Sequence, residues 1–198
     1  YNAAGTTLWT AVMPGLTNGS PYELRSQATD YAGNVSTVLS TRTFQYDAEV
    51  PVSSVTFPAR ENAYTSIPTL SGTSSDIITV GPRSGVDYVE ISVRDLHSGL
   101  YWDGGLDFNN AGETFIGLPT TSTNPWTYAD ATLASKYLSG RKYLVGVKAR
   151  DKAVPFNIQT GLLPAVTYTF DTTAPVSSAT FPGNGNFQQP LATLSGTA

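Results

Sequence analysis

The sequence predicts an all-β chain made of antiparallel β-sandwich repeats in tandem. Three observations carry that expectation. The composition favours strands and turns, apolar residues alternate with a period of two, and one segment recurs about 124 residues later.

Apolar residues make up 40% of the 198, enough to bury an ordinary core, while only 13% are charged. Gly, Pro, Ser, Thr, Asn and Tyr are abundant, which suits short strands joined by many turns. A net charge of −4 without a basic block lacks the footprint of a nucleic-acid binder. No apolar run approaches the roughly 18 residues of a membrane span. Cysteine is absent, so a small disulfide-stapled scaffold is excluded. A cysteine-free β chain rich in Thr, Ser and Gly fits an exported bacterial repeat, so an extracellular or cell-surface address is expected. The chain starts at Tyr1 with neither an initiator Met nor a signal peptide, as a processed protein or a fragment would.

The repeat organises everything else. Residues 51–58 read PVSSVTFP and residues 175–182 read PVSSATFP; TLSGT stands at 69–73 and again at 193–197. Both pairs are offset by 124, as are Thr43 and Thr167, Phe44 and Tyr168, Tyr46 and Phe170, and Asp47 and Asp171. A second match sets YELRSQATDYA (22–32) against YLVGVKARDKA (143–153) at an offset of 121, so the later copy carries three more residues in the following loop. Trp9-Thr10 likewise resembles Trp126-Thr127. The expected division is therefore 1–47 as the C-terminal part of one repeat (strands E to G), 48–171 as a complete repeat with an insertion near 96–125, and 172–198 as the N-terminal part of the next (strands A and B).

Strands follow from alternation. In residues 86–95, Val89, Ile91 and Val93 share one face, and Glu90, Ser92 and Arg94 the other. In residues 143–150 the apolar face is Tyr143, Val145, Val147 and Ala149; in residues 22–29 it is Tyr22, Leu24, Ser26 and Ala28. Residues 40–46 and 166–170 are further strands. Turn signals at Asn18-Gly19, Ala32-Gly33-Asn34 and Ser139-Gly140 separate them. The one segment near a helical period, residues 129–137, is long enough for a single turn.

The phrase MPGLTNGSPYELRSQATDYAGN (13–34) resembles the segment entering strand F of a fibronectin type III or bacterial immunoglobulin-like domain. Leu16 precedes Tyr22 by six residues, the spacing of a tyrosine corner in which the phenol bonds back to the chain upstream. The DTTAP linker at 171–175 is similar to linkers of bacterial surface repeats. The resemblance implies an immunoglobulin/fibronectin III-like sandwich, with Tyr22 and Tyr143 as structural tyrosines. In the complete repeat Leu138 lies five residues before Tyr143, and Ala153-Val154-Pro155 replaces Ala32-Gly33-Asn34, so a different loop is expected there. Pro51 and Pro175 restrict the linkers and favour semi-rigid joints.

No constellation for catalysis stands out, and no catalytic or cofactor-binding residue is expected. One histidine, His97, sits in a polar turn, and P-loop, nucleophile-elbow and zinc-protease motifs are missing. Calcium is the stronger lead. In a sandwich of this order the incoming linker, the B–C loop and the F–G loop share one pole, which gathers Asp47, Glu49, Asp76 and Asp151; Asp171 holds the same place at the next joint. The reading favoured over it is that Asp30 and Asp151 bind backbone amides in tight turns while the linker acids are solvated, since none of these acids forms a contiguous ligand loop. The aromatics Tyr101, Trp102 and Phe108 in the insertion form a candidate platform for a glycan or protein, or else, with Trp126, pack in the core. The leading expectation is a structural stalk, adhesin spacer or fibre-forming unit whose partners are its neighbouring repeats and, through open strand edges, other copies. The alternatives are a binding module using the 96–125 insertion and an accessory spacer of a secreted hydrolase.

Overall fold

A computed structural model describes residues 8–76, 81, 83–118, 124–160, 164–185, 189–190 and 193–198. It is all-β, with antiparallel sheets, one parallel pairing and a single six-residue helix among those residues. The strands are β1 (Pro21–Ser26), β2 (Ser40–Gln45), β3 (Val52–Phe57), β4 (Ala63–Tyr64), β5 (Thr69–Ser75), β6 (Val86–Asp95) and β7 (Tyr101–Trp102). After them come β8 (Phe108–Asn110), β9 (Ile116–Gly117), β10 (Trp126–Ala129), β11 (Arg141–Asp151), β12 (Ala165–Phe170), β13 (Ser178–Phe181) and β14 (Ser195–Thr197). The helix α1 spans Ala131–Lys136.

Two sheets share the main core. One runs β10-β5-β3; the other runs β4-β12-β11-β6-β7-β8, with β9 also on β6. Leu70 and Trp126 come from the first, and Val89, Ile91, Val93, Tyr143, Val145, Val147 and Tyr168 from the second. The alternating apolar faces read from β6 and β11 are the ones that are buried. Each large apolar side chain removed from water stabilises the fold by about 1.5–3 kcal/mol. Gly72 makes one contact possible: a Cβ there would stand 1.9 Å from the Ser54 carbonyl oxygen and 2.4 Å from the Trp126 ring. The glycine of TLSGT is thus the seat of a core tryptophan. Asp130 caps α1 by accepting the Thr132 and Leu133 amides, which turns Leu133 into the core.

The insertion extends the sheet beside β6 through β7, β8 and β9; residues 119–123 of it lie outside the described residues. Trp102 has no exposed surface and packs on Phe108, which also lies against Tyr137 and Tyr143.

The end pieces repeat the registers of the middle. Ser54↔Thr73, Val55↔Gly72 and Phe57↔Ser71 in β3–β5 become Ser178↔Thr197, Ala179↔Gly196 and Phe181↔Ser195 in β13–β14, with the register shift at the same place. Even the hydroxyl pair Ser54–Thr73 at 2.8 Å returns as Ser178–Thr197 at 2.8 Å. Tyr22↔Phe44 and Leu24↔Arg42 in β1–β2 become Tyr143↔Tyr168 and Val145↔Val166 in β11–β12. Burial does not repeat. Among the described residues β13 and β14 pair only with each other, so Pro175 is exposed where Pro51 is buried.

Candidate functional site

The site lies where residues 46–49 enter the complete repeat. Its scaffold begins with the turn before β1. The Gly19 amide donates to the Tyr46 carbonyl at 2.8 Å, and the Ala48 amide donates to Asn18 Oδ1 at 2.7 Å. The same clamp closes the far end of the complete repeat: Gly140 to the Phe170 carbonyl at 2.8 Å, and the Thr172 amide to Ser139 Oγ at 2.9 Å. Asn-Gly and Ser-Gly place a short oxygen-bearing side chain just before a glycine at φ 74° and 80°, which is why this turn can hold the departing linker.

The phenol of each structural tyrosine accepts a backbone amide five residues upstream, Thr17 to Tyr22 at 2.7 Å and Leu138 to Tyr143 at 2.8 Å. Thr17 rather than Leu16 is therefore the partner in the first copy, and the spacing in the complete repeat is not reduced. A third bond of this form joins the Ala59 amide to the Tyr64 phenol at 2.8 Å.

Three acids converge at the joint. Asp47, Asp76 and Asp151 each place a carboxylate oxygen within 4.8 Å of the other two. Asp76 is 3% exposed and Asp151 1%, while Asp47 is half-buried. Local hydrogen bonds set each one. Asp47 accepts the Glu49 amide (3.2 Å) and the Ser84 amide (3.0 Å). Asp76 Oδ2 accepts the Gly85 amide (2.7 Å) and the Ser84 hydroxyl (3.2 Å). Asp151 accepts the Ala153 and Asn157 amides on Oδ1 and the Asn157 side chain on Oδ2. That side chain also reaches the Asp47 carbonyl at 3.3 Å, tying the loop after β11 to the linker. Gly81, at φ 101°, packs against the turn before β1; a Cβ on it would lie 2.0 Å from the Gly19 carbonyl oxygen.

The electrostatics are unbalanced. Among the described residues no lysine or arginine forms an ion pair with any of the three acids. Two like charges about 5 Å apart repel by roughly 3 kcal/mol at an effective dielectric near 20. Burial holds the Asp76 carboxyl above its ordinary value, and the charges of Asp47 and Asp151 push it the same way, against the Gly85 amide and the Ser84 hydroxyl. Its other oxygen, Oδ1, is buried without a hydrogen-bond partner among the described residues.

Glu49 stands apart from this group. Its carboxylate accepts the Asn18 side chain at 3.0 Å, while its backbone amide donates to Asp47 Oδ1. Asp171 accepts the Thr173 amide and the Ser139 hydroxyl and is held below its ordinary value by those bonds. The aromatic platform does not form either: Trp102 is wholly internal, Phe108 packs on it, and Tyr101 lies under Arg94 at 5.2 Å. His97 is a turn residue whose amide donates to Asp95.

Sequence reasoning missed Asn18, Ser84 and Asn157. Asn157 left a signal. Asn34 grips Asp30 with its amide and side chain, both at 2.8 Å, and Asn157 grips Asp151 in the same way, both at 2.7 Å. Two of the extra loop residues fall between Asp151 and Asn157. The pairs Thr29↔Val35 and Arg150↔Ile158 confirm that alignment. The loop expected to differ keeps its hydrogen bonds.

No protein family, curated protein or solved structure matches the chain. Among the described residues no helix is long and apolar enough to cross a membrane.

Proposed function

We propose that the chain is a structural segment of an extracellular bacterial surface protein, a stalk or adhesin spacer built from immunoglobulin/fibronectin III-like β-sandwiches in tandem, with no catalytic role. The observation that supports this most is the joint. The turn before strand F seizes the outgoing linker twice, at Asn18–Ala48 and at Ser139–Thr172. A clamp repeated in register at successive joints fixes the direction of each copy relative to the last, which is what a spacer needs and what a flexible tether avoids.

A protein of successive complete 124-residue copies should scatter X-rays as a rod that lengthens by a constant increment per copy. Protease added to intact source cells should remove it. Compact scattering independent of copy number, or protection until the cells are lysed, would refute the proposal.

A further inference from the structure

We propose that Asp47, Asp76 and Asp151 form a binding site for a divalent cation, calcium, which fastens the incoming linker to the pole of the complete repeat. The three carboxylates come from the linker, the end of β5 and the end of β11, so an ion held by all of them joins three segments far apart in sequence.

Geometry supports the choice of ion. Oxygens bound to calcium lie at 2.3–2.6 Å from it, so two ligands on opposite sides are at most about 5 Å apart. Three carboxylate oxygens within 4.8 Å of one another are close enough for small side-chain movements to bring all of them into the shell of one such ion. Magnesium, at about 2.0–2.1 Å, draws opposite ligands to about 4 Å and demands an octahedron.

An independent observation points to a missing partner. Five of the six carboxylate oxygens accept hydrogen bonds, whereas Asp76 Oδ1 is buried with none among the described residues. An unpartnered buried carboxylate oxygen is costly. Here it belongs to a buried member of a cluster with no compensating cation among the described residues, and a bound ion supplies both the missing contact and the missing charge. A crevice of about 530 Å³ has Asp47, Ser84 and Asn157 in its lining and so reaches one edge of the cluster.

The inference goes beyond the spacer reading and fails separately from it, since a clamped rod scatters as a rod with or without an ion. The test is a thermal melt and a calorimetric titration of the full chain, freed of metal by chelator and then given calcium chloride. Expected is a dissociation constant of about 10⁻⁴–10⁻³ M and a rise in melting temperature on the order of 3–6 °C at about 10 mM calcium. Asp76→Asn and Asp47→Asn should each weaken binding at least roughly tenfold. Both keep an oxygen acceptor, and their melts in chelator show whether they fold. Asp171→Asn should leave binding unchanged. The absence of both heat and melting shift, a shift that survives Asp47→Asn in a folded protein, or an equal shift with magnesium chloride would each overturn the proposal.

Discussion

The loops after β1 and β11 make the same hydrogen bonds in opposite surroundings. Asp30 is gripped by Asn34 and is exposed; Asp151 is gripped by Asn157 and is 1% exposed. Short-range chemistry alone accounts for the grip, because an aspartate that opens a turn finds the amide and side chain of an asparagine a few residues on. Burial is added by other segments: the linker at Asp47, the loop at Ser84 and the end of β5 at Asp76. The comparison separates a motif that any copy carries from a site that only an assembled pole creates.

Substitutions at matched positions in the two regions test that separation. The largest contrast is between the tryptophans. Trp126→Ala empties a fully buried position against Gly72 and should cost about 3–5 kcal/mol in denaturant unfolding. Trp9→Ala, at a residue 44% exposed, should cost less than about 0.5 kcal/mol. Similar losses would show that the first copy has a core of its own. Next come the asparagines. Asn157→Ala removes a charge-assisted bond to buried Asp151 and the tie to the Asp47 carbonyl, a loss of about 1.5–3 kcal/mol; Asn34→Ala should stay within about 0.5 kcal/mol. Equal effects would mean that burial adds nothing to the pincer. Tyr143→Phe leaves the Leu138 amide without its acceptor and should cost about 1 kcal/mol, against a few tenths for Tyr22→Phe. The order of the two melting shifts decides it.

The smallest contrast is in pH. Burial pushes the Asp95 carboxyl up, but the His97 amide, Arg141 and the Ser98 hydroxyl together bring it below its ordinary value. Folding thus favours its charged form. That stabilisation is complete above the unfolded value of about 4 and is lost as the pH falls through the lower native value. Asp95→Asn should lose less stability than the wild type on acidification below about pH 4. Parallel curves would remove Asp95 from the balance.

Much of the fold was legible in the residues. The bounds of β6 follow from its alternation, and the faces chosen for β6 and β11 are the buried ones, because period two is a local property of an extended chain. The 124-residue recurrence predicts paired registers that β3–β5 and β13–β14 share residue by residue. Legibility faded where contacts are remote. Trp102 sits in a polar run that reads as surface, yet β7 and β8 fold it under Phe108. Glu49 and Asp47 look equivalent in the linker, but one turn sends them to different partners.

The sequence by itself determined strand placement, turn chemistry and the repeat, since each depends on neighbours within a few residues or on direct identity between copies. Only the tertiary structure decided which acids meet. Asp47, Asp76 and Asp151 come together because β5 and β11 end at the same pole and the clamped linker arrives there; spacing along a chain carries no record of that distance. The same assembly left one carboxylate oxygen of Asp76 buried without a donor among the described residues, a costly state for a desolvated carboxylate.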